Sequence, residues 1–242
     1  MLRPPGLQGD LLTQDIDALI YLPAGAAAAT VPARLAKQQG IPVVNVDRNA
    51  EGEPGDTFIA TDNAASAYDV CKHIIGLAGG KGKMIMIHGQ KGTTPEVERT
   101  KGCMKAIEEN PGVELVAQQW SQQWSQAEGL DITQNLLQAN PDVNIIFGQA
   151  DGLALGAAQG VKVSNVSQRV YVGGFDGDTT ALPILAAGGY DATATQQVRG
   201  IGRLAVDSAI KLAAGEDLPA EQLLPGFLTT PENAQQYVEN HP

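Results

Sequence analysis

The chain has 242 residues, 43% of them hydrophobic and only 5% aromatic, with 28 glycines and a formal net charge of −11. That size holds one large α/β domain or two modest lobes, and an acidic balance of this magnitude repels phosphate backbones and anionic lipid, so no nucleic-acid partner is expected. No apolar run approaches the roughly 20 residues needed to cross a bilayer, and the opening MLRPPGLQGD lacks the apolar stretch of a signal peptide.

Residues 1–16 offer only a polar, helix-like piece, LQGDLLTQDI, where an α/β lobe would ordinarily open on a strand. Beyond it, short runs rich in Val and Ile alternate with amphipathic stretches. Strands are predicted at DALIYL (17–22), IPVVNV (41–46), DTFIAT (56–61), KMIMIHG (83–89), VELVAQQ (113–119), VNIIFG (143–148), RVYVGGF (169–175) and YDATATQQ (190–197). Helical spacing covers 30–39, 63–78, 96–109, 127–139, 151–160, 179–188 and 199–214. In the second of these helices Val70, Ile74, Ile75 and Leu77 are assigned to one face, and the pair Gly79–Gly80 ends it. Strand–helix alternation of this kind builds parallel sheets with helices on both faces, whose ligands sit beyond the carboxyl ends of the strands.

Those strand ends carry the chemistry. VVNVDRN runs a buried-looking strand straight into Asp47 and Arg48. Neighbours in a strand point to opposite faces, so the two are not expected to pair with each other. Asp176 follows YVGGF, with Gly177 permitting a tight turn; Gln196 and Gln197 follow TAT; Gln149 and Asp151 follow IIFG. The Gly-rich loop GQKGTT leads into a helix carrying Arg99. Two of them have bland alternatives: an exposed ion pair at 47–48 is worth little, and Asp-Gly at 176–177 simply favours a turn.

Other features carry less. GQKGTT fails the phosphate-loop pattern, because no Lys-Thr or Lys-Ser follows its second Gly, and GGKGK (79–83) reads as a solvated turn. Cys71 and Cys103 match no metal spacing; both fall in predicted helices, where a buried free thiol is the simpler reading. His73, His88 and His241 lack the companions of a metal site and are read as incidental. Both tryptophans lie in QQWSQQWSQ, either covering the sheet edge or offering a flat stacking plate. No nucleophile elbow is present. Asp47 and Asp176 could in principle form an acid/base pair, but Arg48 beside Asp47 favours a fixed anionic acceptor, so the chain is read as a binder rather than an enzyme, with no cofactor.

The ordered set DALIYLPAG, GIPVVNVDRNAEG, IATDNAASAY, GTTPEVERTKG, QNLLQANPDVNIIFGQADGLALGA, VGGFDG, ATQQ and LLPGFLTTPEN resembles the ribose-type periplasmic sugar-binding proteins of ABC transporters along nearly the whole chain. The resemblance implies an α/β fold of two Rossmann-like lobes with parallel sheets joined by hinge strands near 60–62, 195–198 and 224–227, closing over one sugar. The N-terminal lobe would take 1–60 and 197–225, and the C-terminal lobe 61–196 and 226–242. The resemblance assigns ligand binding to Asp47, Arg48, Arg99, Trp124 as the aromatic stacker, Asp176 and Gln196, with Gln149 and Asp151 as additional candidates. The family's Asn in QND is Ala150 here. Its first strand, first helix and second strand are also absent, so the N-terminal lobe is expected to be incomplete. A truncated secreted protein, or a strand supplied by another chain, would account for this. The implied partners are a small sugar or polyol and a membrane permease, in the periplasm and without metal; a monomer is expected unless a second chain supplies that strand. The same fold forms the effector domain of LacI-type regulators, and a sugar-modifying enzyme is the other alternative.

Overall fold

The computed structural model describes residues 11–25, 30–50 and 52–242; of the helix-like piece at 7–16, residues 7–10 lie outside it. In chain order the elements are β1 (Leu19–Tyr21), α1 (Thr30–Gln38), β2 (Val43–Val46), β3 (Thr57–Thr61), α2 (Asn63–Leu77), β4 (Lys81–His88), α3 (Thr94–Glu108), β5 (Gly112–Trp120), α4 (Gln126–Ala139), β6 (Ile145–Gly148), α5 (Asp151–Val163), β7 (Tyr171–Gly173), α6 (Leu182–Ala186), β8 (Thr193–Thr195), α7 (Val198–Ala213), β9 (Glu221–Leu224), β10 (Phe227–Thr229) and α8 (Ala234–Glu239). They form two compact units, one of residues 1–61 with 198–224, the other of 62–197 with 225–242.

The first unit carries a parallel sheet in the order β1-β2-β3-β9. Alternation along β2 sorts its two faces. Val44 packs with Ile59 and with Ile201, Ala205 and Ala209 of α7, a stripe at i, i+4, i+8. Val43 packs on the other face with Leu19, Tyr21 and the small residues Ala33 and Ala36 of α1. At the edge strand β1, Ile20 stays 44% exposed, and Leu22 just beyond it 59%.

The second unit holds the parallel sheet β5-β4-β6-β7, beside an antiparallel pair of β8 and β10. Period-2 alternation again divides the core. Met84, Met86, Ile145 and Phe147 pack against α2 and α3, while Ile85, Ile87 and Ile146 pack against α4 and α5. Helix α2 buries Val70, Ile74 and Ile75, but Leu77 lies off that stripe and is 42% exposed. Helices α2 and α3 approach so closely at Gly102 that a Cβ there would sit 2.1 Å from the Ala64 carbonyl oxygen.

Two local expectations are corrected. Strand β4 already begins at Lys81, so only the Gly79–Gly80 part of GGKGK is a turn; both glycines have positive φ, 74° and 71°. Cys71 and Cys103 are not free thiols but a disulfide joining α2 to α3, with Cα atoms 5.3 Å apart. Both residues are fully buried where the two helices meet, a juxtaposition that the spacing of 32 residues does not announce.

Candidate functional site

In the first unit, β2 delivers Asp47 and Arg48 at its carboxyl end. Asp47 has φ 62°, a conformation L-residues other than Asn and Asp rarely take, and its N–H still donates to the Ile59 carbonyl oxygen at 2.9 Å. That kink overrides strand alternation: Arg48 Nε comes within 3.5 Å of Asp47 Oδ2, an ion pair that the alternation argument had not expected. Arg48 Nη1 also donates to the Ala24 carbonyl oxygen at 2.7 Å, in the loop after β1. Beside them Asn45 Nδ2 donates to Asn49 Oδ1 at 2.7 Å.

In the second unit, the carboxyl ends of β4 to β8 gather the other four predicted residues. Arg99, on the second turn of α3 and only 3% exposed, donates through Nε to Asn63 Oδ1 at 2.8 Å and through Nη1 to the Gln149 carbonyl oxygen at 2.6 Å. The same Nη1 lies 3.2 Å from Asp176 Oδ1. Its guanidinium sits 3.7 Å from the Phe175 ring centroid and 5.7 Å from that of Trp124. Gln196 Nε2 donates to Asp176 Oδ1 at 2.9 Å. Asp176 itself is held at φ 117° by backbone bonds to Ala194 and Gln196, with Gly177 at φ 68° completing the turn. His241, read as incidental, approaches the Gly177 carbonyl oxygen through Nε2 at 2.8 Å.

The two tryptophans are held differently. Trp120 ends the edge strand β5, stacked on His88 with centroids 4.5 Å apart and Nε1 donating to Glu96 Oε1 at 3.0 Å. Trp124, with φ 58°, lays its six-membered ring against Gly89, where a Cβ would come within 1.8 Å of it.

Gln149 and Asp151 point inward and are fully buried. Gln149 belongs to a polar set behind Arg99 that includes His88, Glu96 and Thr100. Asp151 accepts from Thr193 Oγ1 at 2.6 Å, Tyr190 Oη at 3.1 Å and the Asp178 N–H at 2.8 Å, anchoring the loop that presents Asp176. Burial without a cation raises its pKa to about 7, and burial lowers that of His88, which is therefore neutral beside Glu96. Sequence reasoning missed Asn63, Phe175, Glu96 and Thr100. All four sit inside the quoted segments, Phe175 beside Asp176 and Thr100 beside Arg99, but nothing in the sequence shows that Glu96 and Thr100 share the face of α3 that meets Gln149. Among the described residues no cluster of His, Cys, Asp and Glu could hold a metal ion, and no helix is long and apolar enough to cross a membrane.

Parallel α/β sheets with charged and amide side chains gathered at their carboxyl ends, here beside an indole, are a small-molecule binding class. The periplasmic binding protein domain matches residues 9–217, and the chain belongs to that family. It is 31% identical over 207 residues to the ribose import binding protein of Bacillus subtilis, covering 86% of this chain and 66% of that one. To the ribose import binding protein of Escherichia coli it is 32% identical over 212 residues, covering 88% and 71%. It also superposes, with TM-score 0.87 and 26% identity over 96% of this chain and 80% of the other, on an ABC transporter solute binding protein from Bacillus halodurans with bound myo-inositol. The chain thus spans between 66% and 80% of the length of these three proteins.

Proposed function

We propose that this chain binds a small neutral sugar or sugar alcohol, as the solute receptor of an ABC transporter in the periplasm. The observation that carries the reading is the convergence of Arg99, Asp176, Gln196 and Trp124 at one carboxyl edge of the second unit. A sugar has an apolar ring face and a hydroxyl rim. An indole matches the first, and fixed charged acceptors and donors match the second, each such hydrogen bond contributing about 1.5–3 kcal/mol. Asp47 and Arg48 of the first unit supply a second set of the same chemistry.

The ribose of the two curated relatives and the myo-inositol of the solved structure are both neutral polyhydroxylated rings, which supports that ligand class. The disulfide supports an oxidising compartment such as the periplasm. Against a hydrolase, Asp176 is engaged by a guanidinium and an amide, which makes it a fixed acceptor rather than a proton shuttle. A thermal-shift screen over pentoses, hexoses, inositols and linear polyols tests the reading. One subset should raise the melting temperature, by an amount that grows with the logarithm of ligand over its dissociation constant, and be recovered unchanged. No stabilisation across the panel, or conversion of a sugar to product, overturns it.

A further inference from the structure

Behind the Arg99–Asp176 pair, the second unit buries a connected set of polar groups. Gln149 and His88 are fully buried, Glu96 is 6% exposed, and all three lie within hydrogen-bonding distance of one another's atoms or backbone. Gln149 stands at the centre. Its Oε1 accepts the Gly89 N–H at 2.9 Å. Its Nε2 donates to Thr100 Oγ1 at 2.8 Å and to the Glu96 carbonyl oxygen at 3.1 Å. Its backbone oxygen accepts Arg99 Nη1 at 2.6 Å. Gly89 is in turn the floor on which the Trp124 ring rests.

We infer that Gln149 is a positioning residue that holds the Trp124 plate and the Arg99 guanidinium in one frame, and so sets the clearance above which a flat sugar face must fit. The inference rests on the sugar-binding reading of Trp124 and Arg99. The site's chemistry calls for an amide here. Thr100 Oγ1 already donates to the Glu96 carbonyl oxygen at 2.8 Å, so its remaining capacity is that of an acceptor. Gly89 offers a donor. Only a side chain with a carbonyl at one end and an NH2 at the other satisfies both sides. His88 Nε2 faces Gln118 Oε1 at 3.0 Å, which places its proton there, and its Nδ1 lies 3.0 Å from Thr100 Oγ1 and 3.3 Å from Gln149 Nε2. Glu96 is tied off by the Gly92 N–H at 2.9 Å and Trp120 Nε1 at 3.0 Å, so the frame continues to the start of α3.

A double-mutant cycle tests it. Calorimetric dissociation constants for the sugar selected by the thermal screen are measured for wild type, Gln149→Met, Trp124→Ala and the double variant. Gln149→Met keeps the length and the backbone carbonyl that holds Arg99 but loses the side-chain hydrogen bonds; it should weaken binding about fivefold to tenfold, the scale of one neutral hydrogen bond, and by less than about twofold when Trp124 is already Ala. Should Gln149→Met not fold, Gln149→Glu, which keeps the acceptor for Gly89 and loses the donor, takes its place in the cycle. Gly89→Ala, which lifts the plate directly, should weaken binding to a similar degree. Wild-type affinity in the Gln149 variant, or equal losses in both backgrounds, overturns the positioning role while leaving sugar binding standing. A wild-type protein that binds no sugar overturns the sugar reading, and this inference with it.

Discussion

Arg99 Nη1 and Asp176 Oδ1 stand 3.2 Å apart, and that oxygen also accepts from Gln196 Nε2 at 2.9 Å. Oδ1 of the carboxylate is thus held by two protein partners, and 24% of the side-chain surface is still exposed. Arg99 has other acceptors in Asn63 Oδ1 and the Gln149 carbonyl, so it does not depend on Asp176 for its place in the fold. Removing the carboxylate should thus cost binding far more than folding.

Asp176→Ala is expected to weaken sugar binding by about tenfold to a hundredfold, the span of one charged hydrogen bond, with far-UV circular dichroism unchanged. Arg48→Ala should behave alike; Arg48→Lys recovers less than full affinity, because an ammonium cannot reproduce the fork that reaches both Asp47 and the Ala24 carbonyl. Near-wild-type titration curves for both alanine variants would remove these residues from the site.

The two indoles should report differently. Trp120 is fixed by its stack on His88 and its bond to Glu96, whereas Trp124 is the assigned plate. Sugar-induced change in intrinsic fluorescence is therefore expected in wild type and absent in Trp124→Phe, which should still bind. Trp124→Ala should weaken binding about threefold to tenfold, in keeping with a stacking contribution of about 0.5–1.5 kcal/mol. A sugar-induced signal that survives Trp124→Phe would move the plate elsewhere.

Most strands and helices were legible because burial on both faces makes β4 and β6 short continuous apolar runs, and a 3.6-residue stripe marks α2 and α7. Strands β9 and β10 and helix α8 were not. EQLL and FLT are three or four residues long, and their extended form comes from partners far along the chain: Phe58 opposite Glu221, Thr195 opposite Phe227. Strand-end position drew attention to Asp47, Arg48, Asp176 and Gln196, but could not tell outward groups from inward ones. Gln149 and Asp151 follow β6 just as Asp47 follows β2, yet turn into the core. The Asp47–Arg48 pair failed the alternation argument because one positive φ ends the alternation. The helix positions gave no sign that two cysteines face each other across α2 and α3.

Asp151 makes stability depend on pH. Its folded pKa of about 7 lies above the ordinary value of 3.8, so the folded protein holds a proton that the unfolded chain has released between those values. The associated stability is fully present below pH 3.8, falls as pH rises, and is gone once pH passes 7. His88 acts in the opposite sense, since its lowered pKa means stability is lost as pH falls through its ordinary 6.5. The difference between wild type and Asp151→Asn isolates the carboxyl. Urea denaturation at intervals from pH 4 to 8 should show wild type losing stability relative to the variant up to about pH 7 and then levelling off. A flat difference would show that the three donors around the carboxylate hold it ionised throughout.

The disulfide closes a loop across 32 residues between helices that carry Asn63 and Arg99. By chain entropy a cross-link of that span contributes about 3–4 kcal/mol, mainly by restricting the unfolded chain. Cys71→Ser with Cys103→Ser should therefore lower the melting temperature by about 6–15 °C at the usual conversion for domains of this size, and no free thiol should titrate in denatured, unreduced wild type. Because Cys103 lies one turn beyond Arg99 on α3, the reduced protein should also bind sugar more weakly than the drop in global stability alone requires, measured well below its melting point. Equal affinity in oxidised and reduced forms would confine the bridge to stability and leave Asn63, Gln149 and Phe175 as sufficient support for Arg99.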